Sequence, residues 1–210
     1  MKTIYDIADS VAPFALSNEY CERYGARDNS GIQLDCGGAV ACVLFSLDLS
    51  DRALARAKEI GADCIFTHHP AIYNPLYSLG ESGAGKNILA CAKAGISVIS
   101  SHLSLDCAEG GIDDCLMQGL GGTAAEAVMH PLSRGGYGKV FAVEETPLAD
   151  FIETTRKRFH VWRAFVYGGR PVKKIASFCG AGMDDATVAF AIASGADTFV
   201  SADGKHHLIA

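Results

Sequence analysis

Four side chains of types that commonly bind metal ions stand in two short groups of the chain. His68 and His69 follow an apolar run and precede Pro70, and His102 follows a second apolar run with Asp106 close behind. Because both groups come directly after predicted strands, we expect them at the edge of an open α/β sheet, where such sheets bind their ligands. Neutral imidazole and carboxylate groups bind zinc, iron, manganese or nickel, so the pattern predicts a metal site without choosing the metal.

The neighbouring histidines are the stronger half of this pattern. A single histidine at a strand end is usually structural, whereas side chains at successive strand positions point to opposite sides, so His68 and His69 cannot both be buried without polar partners. Two diverging ligands suit two metal ions better than one, with Asp106 or a water bridging them. Two such cations lower the pKa of a shared water enough to yield hydroxide near neutral pH, which favours hydrolytic chemistry.

Other candidate sites carry less weight. Gly80, Gly85 and Lys86 fit the spacing of a phosphate-binding loop, but Asn87 stands where that motif requires Ser or Thr and no buried strand leads into it. We therefore predict only a loop and the start of a helix there. The run Asp-Asn-Ser-Gly at 28–31 is typical of a turn in which the glycine tolerates positive φ. The remaining histidines fit no ligand pattern: His130 and His160, expected to be solvated or capping, and His206 and His207, which are ambiguous.

The elements that hold these residues belong to a globular chain. Its 210 residues are 49% hydrophobic and 20% charged, enough for one large or two small domains. No apolar run reaches the length of a membrane span, and two aspartates interrupt the N-terminal MKTIYDIADS where a signal peptide needs its apolar region, so a cytoplasmic protein is predicted. The net charge of −6 gives no electrostatic attraction for a polyanion, which makes nucleic acid an unlikely partner.

The cysteines indicate the same kind of compartment. All eight are scattered without a CxxC motif, in a chain long enough not to need disulfides. Cys42, Cys64 and Cys179 fall inside predicted strands, and we expect them to be small apolar core residues in a reducing environment.

Two segments of the chain predict the same β-α-β order. A strand at 40–47, a helix from Asp51 and a strand at 63–67 form the first unit. A strand at 174–179, a helix capped by Asp184 and a strand at 197–201 form the second. Sliding the first unit by 134 positions places it on the second without a gap and puts residues 68 and 69 opposite 202 and 203. An internal repeat is predicted, although any two β-α-β units look alike.

The rest of the chain alternates in the same way, and its fold class is predicted to be α/β, with two domains built from related β-α-β units around mixed sheets. Glycines, Pro131 and Ser133 accumulate between 121 and 136, which divides the chain into an N-terminal domain at 1–125 and a second segment at 126–210. Further elements are predicted as helices at 86–95, 111–120 and from Pro147, and as strands at 96–101, 138–143 and 161–167.

Several stretches together resemble the GTP cyclohydrolase 1 type 2 homologue family, the Nif-three-like proteins. The similarity covers nearly the whole chain in family order, and THHP followed by HxxxD is its most specific part. The matching stretches are RDNSGIQ at 27–33, ADCIFTHHPAIY at 62–73, SHLSLD at 101–106 and GADTFVSADGKHH at 195–207.

The resemblance implies a toroidal homohexamer with a dinuclear metal centre in each subunit. His68, His69 and Asp106 would be ligands of two divalent ions, and His102 would stand beside the centre as a general acid or base. The family name implies hydrolysis of the GTP cyclohydrolase type on a small-molecule substrate such as a nucleotide, although nothing in this chain is recognised as a guanine site. Regulatory or metal-handling rings with a structural metal centre are the alternative.

The resemblance also implies further ligands beyond the end of this sequence. The family completes its site with a His and a Glu in a GHxxxE motif that follows the position of Asp203, and the chain stops at Ala210. The second segment at 126–210 therefore lacks that motif. We expect the sequence to be part of a longer protein, because an apolar stub would otherwise end in a helix without a cap.

Overall fold

A computed structural model describes residues 2–204. The chain divides into two compact units, Met1–Leu105 and Asp106–Ala210. The division falls upstream of the boundary expected at 125/126, because a helix that precedes that boundary packs against strands of the second unit.

The first unit contains a four-stranded mixed sheet. Its strands are β1 (Gly31–Leu34), β2 (Val43–Ser46), β3 (Cys64–Thr67) and β4 (Ser97–Ser100). Its helices are α1 (Ile4–Ala8), α2 (Phe14–Tyr24), α3 (Asp51–Ile60) and α4 (Lys86–Ala94), and the short α5 (Leu103–Cys107) spans the division between the units. The strand order is β1-β4-β3-β2, in which β2, β3 and β4 are parallel and β1 is antiparallel to β4.

The two central strands carry the chain toward the predicted ligands. Every residue of β3 and β4 is buried, as expected for parallel strands covered on both faces. Helix α3 covers one face through Leu54 and Ala57, begins at Ser50, whose side chain accepts from the backbone of Ala53, and ends at Gly61 in the left-handed conformation. Both ends of this helix follow from local sequence signals.

The second unit contains another four-stranded sheet, with order β5-β6-β7-β8. Only β7 and β8 are parallel, so this sheet is also mixed. Its strands are β5 (Ala127–Pro131), β6 (Gly136–Thr146), β7 (Val172–Phe178) and β8 (Thr198–Ser201), and its helices are α6 (Ile112–Gly119), α7 (Leu148–Arg158) and α8 (Asp185–Ala193). The predicted α/β class with mixed sheets is confirmed.

The strand predicted at 161–167 is wrong. This segment is irregular, and Trp162 and Phe165 are 75% and 77% exposed. The sequence favours a strand because the segment is rich in aromatic and β-branched residues, but that preference depends on a neighbouring strand to pair with. Within residues 2–204, no strand pairs with it.

The internal repeat is visible in the hydrogen bonds as well as in the sequence. The carboxylate of Asp63 accepts from the backbone N–H groups of Ala41 and Cys42, and that of Asp197 accepts from Lys173 and Lys174 at the corresponding place. The gap-free alignment is wrong in the first strand, however. Residue 64 pairs with residue 43, and its counterpart 198 pairs with residue 175. The second β-α-β unit therefore has two extra residues between its first strand and its helix.

The cysteines lie close to their expected places. Cys64 is buried in β3, where burial raises the pKa of its thiol to about 12, whereas Cys42 and Cys179 stand just outside β2 and β7. Within the described ranges no cysteine forms a disulfide. As a separate finding, no helix between residues 2 and 204 combines the length and apolarity needed to cross a membrane.

Candidate metal centre

Three predicted site residues come together beyond the ends of β3 and β4. One potential ligand atom from each of His68, His102 and Asp106 lies within 4.8 Å of the others. Residues 67 and 100, the last of the two strands, are paired in the parallel register, so the chain delivers both histidines to the same edge of the sheet. Asp106 stands on α5, which begins at Leu103 directly after His102, so its approach is set by the geometry of that helix.

The hydrogen bonds of two imidazoles determine which ring nitrogen faces the cluster. The Nδ1 atom of His68 lies 2.9 Å from the carbonyl oxygen of Ser101, and that of His102 lies 2.8 Å from Oδ1 of Asp28. A carbonyl or carboxylate oxygen only accepts, so Nδ1 donates in both rings and Nε2 carries the lone pair of a neutral imidazole. Metal-binding histidines typically hold their second nitrogen in this way.

His69 lies beside the cluster but is not part of it. Its Nδ1 atom lies 2.7 Å from Oδ1 of Asp48, and both side chains are largely exposed. Its ring centroid is 5.0 Å from that of His68 and 5.9 Å from that of His102. The expected divergence of the two neighbouring rings is therefore wrong, because β3 ends at Thr67 and the alternation of a strand no longer applies to the residues that follow.

Asp28 is the functional residue that sequence reasoning missed. Its side chain is fully buried, with Oδ1 facing His102, while Oδ2 accepts from the hydroxyl of Ser17 at 2.6 Å and from the hydroxyl and backbone N–H of Ser30 at 2.6 and 3.2 Å. Burial alone would raise the pKa of Asp28, but the hydrogen bonds from His102, Ser17 and Ser30 outweigh it and hold that pKa well below its usual range. Asp28 is therefore an ionised carboxylate behind the imidazole.

The turn prediction explains why Asp28 was missed. Asp28 does accept locally from the backbone N–H of Ser30, and Gly31, the first residue of β1, has the expected positive φ of 144°. A turn is a local signal, however, and the partner His102 is distant in sequence. The only sign of another role was that this stretch belongs to RDNSGIQ, one of the segments that carry the family resemblance.

Asp106 is buried, with a thiol among its neighbours. Burial, followed by the charges of Asp106 and Asp113, raises the pKa of Cys179 far above its ordinary value. Cys179 is thus a protonated thiol beside a carboxylate of the candidate centre, and its backbone N–H is held by Asp113 at 3.0 Å.

The donor set fits a divalent metal ion. Two imidazole nitrogens and a carboxylate oxygen suit zinc, iron, manganese or nickel. Ligands about 2.1 Å from one ion lie at most about 4.2 Å apart, so the 4.8 Å span of the cluster would need to contract by only a few tenths of an ångström.

The remaining candidates do not join this cluster. Gly85 precedes α4 and Lys86 Nζ lies 2.8 Å from Oδ2 of Asp51, which confirms a helix start where the spacing resembles a phosphate-binding loop. His130 lies in β5, not in the predicted loop, with its ring stacked near Tyr137. Three further histidines complete the set: His160 follows α7, and His206 and His207 fall outside the described residues.

Comparison with known proteins shows which family the chain is similar to. The family model described as Duf34/NIF3 (NGG1p interacting factor 3) matches residues 1–210. A "GTP cyclohydrolase 1 type 2 homolog" of Lactococcus lactis is 29% identical over 94% of this chain and 79% of its own length. A protein of the same name from Clostridium perfringens is 27% identical over 100% of this chain and 79% of its own.

A solved structure shows the same fold. The crystal structure of a Bacillus cereus protein related to NIF3 superposes with a TM-score of 0.77 at 21% identity, covering 98% of this chain and 83% of that one.

Proposed function

The chain belongs to the Duf34/NIF3 family, whose model matches its whole length, and from this premise we propose that it is a metal-dependent hydrolase. The cluster of His68, His102 and Asp106 carries the proposal, because it brings two candidate ligands, His68 and Asp106, close to an imidazole that has an ionised carboxylate behind it. The family resemblance noted in the sequence is confirmed by the curated relatives as well as by the family model.

From the family resemblance we assign the metal ligands as His68, His69 and Asp106, with His69 joining from the edge of the cluster, and these residues would hold two divalent ions. Nδ1 of His68 lies 2.9 Å from the carbonyl oxygen of Ser101, which leaves Nε2 for a metal ion, and the ring of His69 lies 5.0 Å from that of His68. Asp106 would contribute its carboxylate oxygens to the same site. Zinc, iron, manganese and nickel all suit these donors.

We assign His102 the role of general acid or base. A bound divalent ion supplies Lewis acidity and lowers the pKa of a water molecule at the site. His102 would take the proton of that water, because the ionised Asp28 behind it stabilises the imidazolium that forms. Nδ1 of His68 lies against the neutral carbonyl oxygen of Ser101 instead, and this difference between a neutral and a charged acceptor is the reason for giving the two histidines different roles.

The substrate class follows from this chemistry and from the names of relatives. The chemistry that a metal ion would supply here is hydrolysis of a polarised C–N, amide or phosphate bond of a small molecule. Nucleotides are the first class to assay because relatives are named GTP cyclohydrolase 1 type 2 homologs. From the resemblance we also propose a homohexameric ring in the cytoplasm, with neither a membrane nor nucleic acid as partner.

Metal analysis of purified protein tests the centre. We expect close to two ions per chain in the wild type, a marked loss in His68→Ala and in Asp106→Ala, and no loss in His130→Ala, a matched control whose ring stacks near Tyr137 in the second unit. A control variant that loses as much metal as the other two would contradict the assignment.

Turnover measurements separate the proposal from its alternatives. A hydrolase loses metal-dependent turnover in His68→Ala while its assembly persists. A regulatory ring with a structural metal shows no turnover and falls apart or unfolds on chelation, and a metal-handling protein exchanges its ions rapidly with a chelator. Either of the last two results would replace the hydrolase proposal.

A further inference from the structure

We propose that Asp28 is a positioning residue that determines which nitrogen of His102 carries the proton, and so aims the Nε2 lone pair of His102 at the candidate metal centre. We rest its functional meaning on the proposed hydrolase role of His102. The tautomer itself can be measured in metal-free protein without any assay of activity.

The two carboxylate oxygens of Asp28 have different and non-interchangeable partners. Oδ1 accepts from Nδ1 of His102 at 2.8 Å. Oδ2 accepts from the hydroxyl of Ser17, the hydroxyl of Ser30 and the backbone N–H of Ser30. The hydroxyl of Ser30 in turn accepts from the backbone N–H of His102 at 2.9 Å, so the turn holds both the backbone and the ring of this histidine.

This arrangement predicts the orientation of an amide placed at position 28. The backbone N–H of Ser30 cannot reverse its direction, and both hydroxyls already point toward Oδ2. In Asp28→Asn the amide oxygen must therefore take the Oδ2 position, and the NH₂ group must face His102. His102 would then accept through Nδ1 and carry its proton on Nε2.

A ring in that tautomer can neither accept a proton through Nε2 nor bind a metal through it. A comparable Asp to Asn change behind a catalytic histidine costs about 10⁴-fold in kcat through the wrong tautomer alone. The charge of Asp28 is thus only part of its role. The three donors on Oδ2 fix the orientation of the carboxylate, so that Oδ1 always faces Nδ1 of His102.

Asp48 offers a matched comparison within the same site. Its Oδ1 atom lies 2.7 Å from Nδ1 of His69, but the side chain is 61% exposed, and no other hydrogen bond involving it is found among residues 2–204. An asparagine at position 48 can therefore rotate to present its carbonyl oxygen to the ring. We expect His69 to keep its proton on Nδ1 in Asp48→Asn.

The test is long-range ¹H–¹⁵N NMR of metal-free full chain labelled with ¹⁵N-histidine, at a pH where the rings are neutral. Resonances are assigned with His102→Gln and His69→Gln. The expected result is an Nδ1–H tautomer for His102 in the wild type, an Nε2–H tautomer in Asp28→Asn, and an unchanged His69 in Asp48→Asn.

Two results would overturn the proposal. One is an Nε2–H tautomer of His102 in the wild-type protein, which needs no variant and holds even if Asp28→Asn does not fold. The other is a folded Asp28→Asn protein in which His102 keeps Nδ1–H. If the tautomers behave as expected but no substrate is turned over, the hydrolase proposal fails while the role of Asp28 stands.

Discussion

At the scale of single residues, the candidate centre separates its histidines by what stands behind each ring. The Nδ1 atom of His68 contacts a backbone carbonyl oxygen, that of His102 a buried carboxylate, and that of His69 an exposed carboxylate. Residue type alone makes the three equivalent, whereas their partners give each a different electrostatic setting. The distinction between ligand and proton acceptor rests on these second partners.

Replacement of His102 tests that distinction. We expect His102→Ala to keep the wild-type metal content but to lose hydrolysis by about 10²- to 10⁴-fold, because a positioned general base contributes that much. Metal analysis and turnover are measured on the same sample, beside His68→Ala, which should lose both. Loss of metal in His102→Ala would make His102 a ligand and remove its separate role.

The depressed pKa of Asp28 predicts a pH dependence of stability. The native carboxylate has a lower pKa than an aspartate in the unfolded chain, about 3.9, so it stabilises the fold above that pH and this contribution is lost as the pH falls below it. Urea unfolding of metal-free protein at about pH 5 and about pH 3 should show a smaller decline in Asp28→Asn than in the wild type. An equal decline in both proteins would contradict this.

At the scale of elements, the two β-α-β units share a hydrogen-bonded aspartate just before the strand that follows the helix. Asp63 accepts from two backbone N–H groups just before β2, and Asp197 accepts from two at the start of β7. Each aspartate directly precedes its own strand, β3 or β8. Only the first β-α-β unit has histidines in the two positions directly after that strand, because Ala202 and Asp203 occupy the corresponding places in the second. The strand–helix–strand arrangement is therefore repeated, whereas the pair of histidines directly after the second strand is not.

Equivalent substitutions test the equivalence of the two units. We expect Asp63→Ala and Asp197→Ala each to lower the free energy of unfolding by about 1–2 kcal/mol, because each leaves two backbone donors without their acceptor. Chemical denaturation measures both, with Asp185→Ala as a control on the surface of α8. A loss confined to one of the pair would show that the shared contact is not equivalent.

At the scale of the whole molecule, the chain consists of two compact units with mixed sheets of different order. In the first, three parallel strands bring two groups of candidate ligands to one edge of the sheet. In the second, only one pair of strands is parallel. A metal ion that binds the candidate centre of the native protein but not the unfolded chain should stabilise the native state by mass action.

Metal-linked stability tests this at the level of the whole protein. Adding zinc at about one hundred times its Kd should stabilise the wild type by about 2.7 kcal/mol, and should leave Asp106→Ala almost unchanged. Thermal unfolding measures the shift, and light scattering follows the proposed hexamer in the same samples. Equal stabilisation of the variant would place the bound ion elsewhere.

Local signals in the sequence were sufficient for most elements and for the types of the ligands. Helix α3 begins and ends where Ser50 and Gly61 predict, and the runs before His68 and His102 form the buried strands β3 and β4. These features depend on neighbours along the chain, such as caps, periodicity and burial of short apolar runs. A single sequence contains that information directly.

Only the tertiary structure decided how the site is arranged. It paired His102 with Asp28, left His69 at the edge of the cluster and left residues 161–167 without a strand partner in the part of the chain described. Each of these depends on a contact between residues far apart in sequence, or on its absence, and side-chain periodicity carries no record of such contacts. The sequence by itself determined which chemistry the residues could perform, and the fold decided which nitrogen of each ring can perform it.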